Sequence, residues 1–87
     1  MLEDYKNKLI QKIIDFEENK ISIDDLVDCV VKNEPLLIYK LLDKKETEKL
    51  GHVADLLQEY NFYKNQGEEK VILDEVDWYY LNFLKGK

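Results

Sequence analysis

Apolar residues recur every three or four positions along most of this chain, and that spacing restricts it to helices that each bury one face. Over residues 2 to 18, Leu2, Tyr5, Leu9, Ile13 and Phe16 fall within one arc of a helical projection, and Ile10 and Ile14 widen it. Asn7, Lys8, Gln11, Asp15 and Glu18 take the other side, and Asn19-Lys20 is the expected end of the helix. Ser22 is placed to cap a second helix, with Ile21 and Leu26 at the positions of a hydrophobic staple and Asp24 and Asp25 at the positive end of its dipole. That helix runs through Val27, Val30 and Val31 and should stop near Asn33, because Pro35 disfavours helical geometry in the residue before it.

Pro35 suits the first turn of a third helix, from Leu36 to about Lys44. Leu36, Leu37, Ile38, Tyr39, Leu41 and Leu42 make it apolar around most of its circumference, the expected centre of the core. Thr47 is a cap for a fourth helix with Val53, Leu56, Leu57, Tyr60 and Tyr63 on one stripe, ending at Asn65-Gln66-Gly67. The stretch from Glu68 to Lys87 admits two readings. One is a long helix aligning Ile72, Val76, Tyr79 and Phe83; the other is an extended Val71-Ile72-Leu73 followed by a helix over 74–85 capped by Asp74. The second is preferred, and the whole predicts an all-α fold, a compact bundle of four to five short antiparallel helices forming one domain over residues 1–87.

Composition narrows the function. With 45% hydrophobic and 37% charged residues, the 87-residue chain is globular in pattern and of a size for one core. No apolar run reaches the roughly 20 residues that span a bilayer, and Met1-Leu2-Glu3-Asp4 lacks the basic start of a secretory signal, so a cytoplasmic location is expected. The single Cys29 agrees with a reducing compartment. All 13 basic residues are lysines, and 19 carboxylates leave a net charge of −6. A chain without arginine and with a negative field is a poor binder of nucleic acid, so a cationic partner is favoured. The abundance of Lys, Ile, Asn and Tyr suits an AT-rich genome such as that of a low-GC bacterium or its phage.

Residues for catalysis are sparse. His52, Ser22, Thr47 and Cys29 are each the sole member of their type. Ser22 and Thr47 have caps to make, Cys29 lies in the apolar turn between Val27 and Val30, and His52 adjoins an apolar stripe. Zinc needs more His or Cys ligands than this. Asp24-Asp25-Asp28 and Asp74-Glu75-Asp77 lack the alternating oxygens and turn glycine of a calcium loop, and the glycines are too dispersed for a phosphate cradle. The expectation is a protein without enzymatic activity, metal or cofactor.

The surplus lies at the C-terminal end. Between Asp55 and Tyr80 stand seven carboxylates (Asp55, Glu59, Glu68, Glu69, Asp74, Glu75 and Asp77) against Lys64 and Lys70, which accounts for five of the six net negative charges. The same window holds Tyr60, Phe62, Tyr63, Trp78, Tyr79 and Tyr80. On a helix from Asp74, Val76, Tyr79, Tyr80, Phe83 and Leu84 share the core side while Trp78 and Leu81 point away. Two readings of Trp78 follow: it closes the core under residues 64 to 73, or it lies at the surface. Aromatic anchors among carboxylates suit a face that binds a basic protein, since Tyr and Trp carry binding energy and acids steer a cation.

In size, acidity and helical content the chain resembles the bacterial immunity proteins that neutralise nuclease toxins, including the colicin DNase group, in which an adjacent tyrosine pair and acidic residues contact the toxin. Tyr79-Tyr80 with Asp74, Glu75 and Asp77 looks like that patch, and the resemblance covers those few residues. It implies an immunity or antitoxin-type inhibitor that covers the active site or substrate groove of a basic toxin. Glu59, Tyr60, Tyr63, Asp74, Glu75, Asp77, Trp78, Tyr79 and Tyr80 are the expected contact residues. Two alternatives stand beside it: a phage or plasmid mimic of nucleic acid that inhibits a host DNA-binding protein, and a homo-oligomer that buries Trp78 and Leu81 against a second copy.

Overall fold

A computed structural model describes residues 2–32 and 48–85, with side chains from Lys6 onward in the first segment. The expected helix from Leu36, its role as core centre, the Thr47 cap and the side chains of Leu2 and Tyr5 lie outside the described residues. Helix α1 spans Leu2–Glu17, and Leu9 and Ile13, four residues apart, are fully buried. It ends where expected, and the backbone shows why. Asn19 takes a left-handed conformation at φ 64°, so its N–H reaches the Phe16 carbonyl at 3.0 Å and that of Lys20 reaches Asp15 at 2.8 Å. These two bonds close the last turn on its own carbonyls, and asparagine is among the few side chains that tolerate the conformation.

Helix α2, Ile23–Val31, starts from a reciprocal cap. The Ser22 hydroxyl accepts from the Asp25 N–H at 3.2 Å, and the Asp25 carboxylate accepts from the Ser22 N–H at 3.3 Å. Two end-of-helix donors are thereby satisfied, with Leu26 buried and Ile21 packed on the core beside them.

The expected fourth helix is two. Helix α3, Glu48–Gln58, gives way to α4, Tyr60–Asn65, at Glu59 (φ −99°, ψ 13°), where the Glu59 N–H reaches back only three residues to Leu56. No glycine or proline marks this break. Its cause is tertiary, because the redirected α4 packs against the following helix. Gly67 then ends α4 at φ +73°, with the Gly67 N–H on Lys64 at 3.0 Å and the Glu68 N–H on Tyr63 at 2.8 Å. It repeats the closure seen at Asn19.

The preferred reading of the C-terminal stretch is corrected. Helix α5 spans Glu69–Tyr79, so Val71-Ile72-Leu73 is helical and Asp74 lies inside the helix rather than at its cap. Ile72, Val76 and Tyr79 recur at helical spacing and are all buried, worth roughly 1.5–3 kcal/mol for each large apolar side chain. The whole β-propensity scale spans only about 1 kcal/mol, so packing decides. A wider π-helical turn, Tyr80–Leu84, continues the chain.

The elements form a small all-α bundle, with no strand among the described residues. Helix α1 packs on α2, α2 on α3, and α3 on α5, while α4 braces α5 and the π turn returns to α1. The circuit closes around a core of Leu9, Ile13, Leu26, Val30, Leu50, Leu57, Ile72 and Val76. Its radius of gyration of 12.0 Å equals the roughly 12 Å expected of a compact chain of this length. None of the described helices is long and apolar enough to cross a membrane.

A Cβ at Gly67 would meet no atom within 4 Å, so the cost of a side chain there is conformational alone. Gly67→Ala is expected to destabilise by about 1 kcal/mol, and Ser22→Ala by about 1 kcal/mol through the lost cap, both read from urea denaturation.

Candidate functional site

Burial of Ile72, Val76 and Tyr79 leaves the opposite side of α5 to solvent. Val71 is 48% exposed, Trp78 44% and Leu81 48%, at intervals of seven and three residues. Asp74, exposed, and Glu75, half-buried, stand between Val71 and Trp78. Lys49, in the first turn of α3, completes a shallow groove of about 320 Å³ with Asp74, Glu75 and Trp78. Its ammonium lies 5.7 Å from the centroid of the Trp78 ring, within the range of cation–π attraction.

The π turn holds the indole in place. Adding a residue to the turn brings position 83 back over position 78 as well as 79. Phe83 accordingly meets Trp78 edge-on, with centroids 5.8 Å apart, and stacks on Tyr79 at 5.1 Å. The Asn82 side-chain amide donates to the Trp78 carbonyl at 2.8 Å, tying the same turn. Trp78 is therefore supported by an aromatic neighbour while a substantial part of it faces water. Of its two sequence readings, the surface one holds, since residues 69 to 73 form helix rather than a covering loop.

The sequence-predicted site residues divide. Asp74, Glu75 and Trp78 come together in the groove. Asp77 is exposed on the same helix, and its carboxyl acts on that of Glu17, the last residue of α1. Burial, and then the Asp77 carboxyl, raise Glu17 to about 7. Tyr79 is 7% exposed and Tyr60 4%, so both are core residues and leave the candidate surface. Tyr80 is half-buried against the core, so the adjacent tyrosines are not presented as a pair. Glu59 is exposed and Tyr63 half-buried, its ring edge-on to Phe62 at 6.0 Å; neither lines the groove. Lys49 was missed because only tertiary packing sets it beside α5.

A second groove, about 410 Å³, lies between α1 and α2 and mixes Lys8, Lys12 and Lys32 with Asp25 and Asp28 over the buried Cys29. Burial pushes the Cys29 thiol up, against the fields of Lys8 and Lys12, which favours the unreactive neutral form. His52 is on the exposed side of α3. Among the described residues no group of three or more His, Cys, Asp or Glu could hold a metal ion.

No protein-family model, curated protein or solved structure matches the chain. What the site can do therefore rests on its own geometry. An aromatic floor open on one side, with carboxylates at its margin, suits a cationic side chain and disfavours an anion.

If Trp78 belongs to a surface rather than the core, Trp78→Ala should cost only about 1 kcal/mol, against roughly 2–5 kcal/mol for Ile72→Ala. Urea denaturation followed by circular dichroism checks both. Equal losses would return Trp78 to the core.

Proposed function

We propose that this protein is a non-catalytic binding module that captures a basic protein on the outer face of α5, in the manner of an immunity or antitoxin-type inhibitor of a nuclease toxin. The observation that carries this reading is the meeting of Asp74, Glu75 and the open face of Trp78 in one groove, where the chain's own Lys49 ammonium already lies over the ring. A lysine or arginine of the partner would take that position, displacing Lys49 or sharing the carboxylates with it. Val71 and Leu81 flank the groove as apolar contacts, which gives the exposed centre with a polar margin that protein interfaces use. The net charge of −6, concentrated toward this end of the chain, would steer a cationic partner to it. The site of a nuclease fits because it is built for phosphates, and carboxylates along a helix can occupy the same positions.

Exposure of Val71, Trp78 and Leu81 on one side also favours a second reading, association with another copy of the chain. Sedimentation equilibrium separates the two, since a module for a basic partner stays monomeric alone.

Capture from the source organism with wild-type bait beside an Asp74→Lys/Glu75→Lys/Trp78→Ala bait, both checked for folding, should recover a basic protein with the wild type only. With that protein purified, association should slow as salt rises, because screening confines the carboxylate field to about 8 Å at physiological ionic strength. Charge reversal at Asp74 and Glu75 should weaken binding by roughly ten-fold or more. Salt-independent association, or equal recovery by both baits, contradicts the proposal.

A further inference from the structure

The exposed side of α5 has a period as well as a charge. Val71, Asp74, Trp78 and Leu81 follow one another at intervals of three, four and three residues, with Glu75 beside Asp74. That alternation is the spacing of a seam along which one helix packs on another, because it returns successive side chains to one stripe. Val71, Trp78 and Leu81 are three of the five large apolar side chains that stand exposed among the described residues. The stripe thus has the form of one half of a helix pair. From Val71 to Leu81 it runs about 15 Å along the helix, a length that three turns of a second helix cover. Trp78 is its anchor, held by the edge-on Phe83 ring at 5.8 Å and by the Asn82 amide on its carbonyl at 2.8 Å. The indole is therefore in place before any partner arrives.

The middle of the stripe is acidic, and that restricts what can lie on it. An apolar or acidic surface laid over Asp74 and Glu75 would desolvate carboxylates and give them no partner. The chain shows the complementary chemistry in its own contact, with the Lys49 ammonium 5.7 Å from the centroid of the Trp78 ring in the groove that Asp74 and Glu75 line. A second copy of the chain fits poorly. It carries the same acids at the middle of the same stripe, so four carboxylates would gather at the crossing against two Lys49 ammoniums. An extended segment has no main-chain pairing to gain, since a helix uses its backbone N–H and carbonyl groups internally.

We infer that the outer face of α5 is a docking seam for an amphipathic cationic helix of the partner, which sets two apolar residues seven apart on Val71 and Trp78 and places lysine or arginine between them, opposite Asp74 and Glu75. The inference rests on the function proposed above for the existence of a basic partner, and adds the conformation and register of the segment that binds. Seven residues rise about 10.5 Å on either helix, so the apolar contacts on the two sides match in spacing. The cation between them neutralises the acids at the moment they lose water, which gives the seam its selectivity.

Synthetic peptides of about three heptads test this on the whole protein. One carries leucines seven apart with lysines at the third and fourth positions after each; a second has the same composition with the leucines scattered around the helix; a third replaces the lysines of the first by glutamate. Binding is followed by the fluorescence of Trp78, the sole tryptophan, by the methyl resonances of Val71 and Leu81, and by circular dichroism of the peptide. The striped cationic peptide should bind about ten-fold or more tighter than the scattered one, gain helix as it binds, and shift Val71, Trp78 and Leu81 together. Val71→Glu separates packing from charge, because it adds a carboxylate at an exposed position and removes an apolar contact. The seam predicts weaker binding of the striped peptide to Val71→Glu, and to Leu81→Glu, with both variants folded by circular dichroism. Equal affinity for the striped and scattered cationic peptides, or tighter binding by Val71→Glu, overturns the helical seam and leaves the cation-binding face standing. Equal binding of the lysine and glutamate peptides, or no response to any peptide, overturns that face and the inference with it. Self-association of the free protein that buries Trp78 would put a second copy on the stripe and also overturn the inference.

Discussion

The burial of Ile72, Val76 and Tyr79 fixes the rotation of α5 about its own axis, and that rotation decides what the helix shows to solvent. A turn of about 100° per residue leaves no freedom once three positions are locked in the core: Asp74, Trp78 and Leu81 must face outward and Val76 cannot. A large indole with its neighbouring carboxylates is exposed as a consequence of packing on the other side. The same locking seats α5 between α3, which supplies Lys49, and α4, which is redirected at Glu59 to meet it.

A departure from regular helix shapes the surface further. The π turn after Tyr79 moves Phe83 beneath both aromatic neighbours, so Trp78 is fixed by ring contacts and by Asn82 rather than by burial. A preorganised aromatic loses little rotamer freedom on binding, which favours affinity at a small interface.

Much of this was legible in the residues. The stripe of Leu9 and Ile13, the Ser22 cap, the ends at Asn19 and Gly67 and the outward placement of Trp78 and Leu81 all follow from local chemistry and helical period. The start of α5 was misread because Val71, Ile72 and Leu73 favour strands locally while Ile72 gains more from joining Val76 in the core. Tyr60 and Tyr79 were placed on apolar stripes and also counted among the contact residues, because a tyrosine's amphipathic side chain suits either place; their burial puts both in the core. Lys49 stands 29 residues from the Trp78 that it meets, beyond any local pattern. Of the acid and aromatic window from Asp55 to Tyr80, the groove takes in Asp74, Glu75 and Trp78.

The central claim is that the outer face of α5 accepts a cation over Trp78 between Asp74 and Glu75. Its most direct measurement is a nuclear magnetic resonance titration of the whole protein with a lysine-rich peptide, and with a glutamate-rich peptide as control. The account predicts that the basic peptide shifts the Trp78 indole and the Asp74 and Glu75 resonances first, that salt reverses the shifts, and that the acidic peptide leaves them unchanged. Shifts confined to the groove of Lys8, Lys12 and Lys32, or an equal response to both peptides, would contradict it.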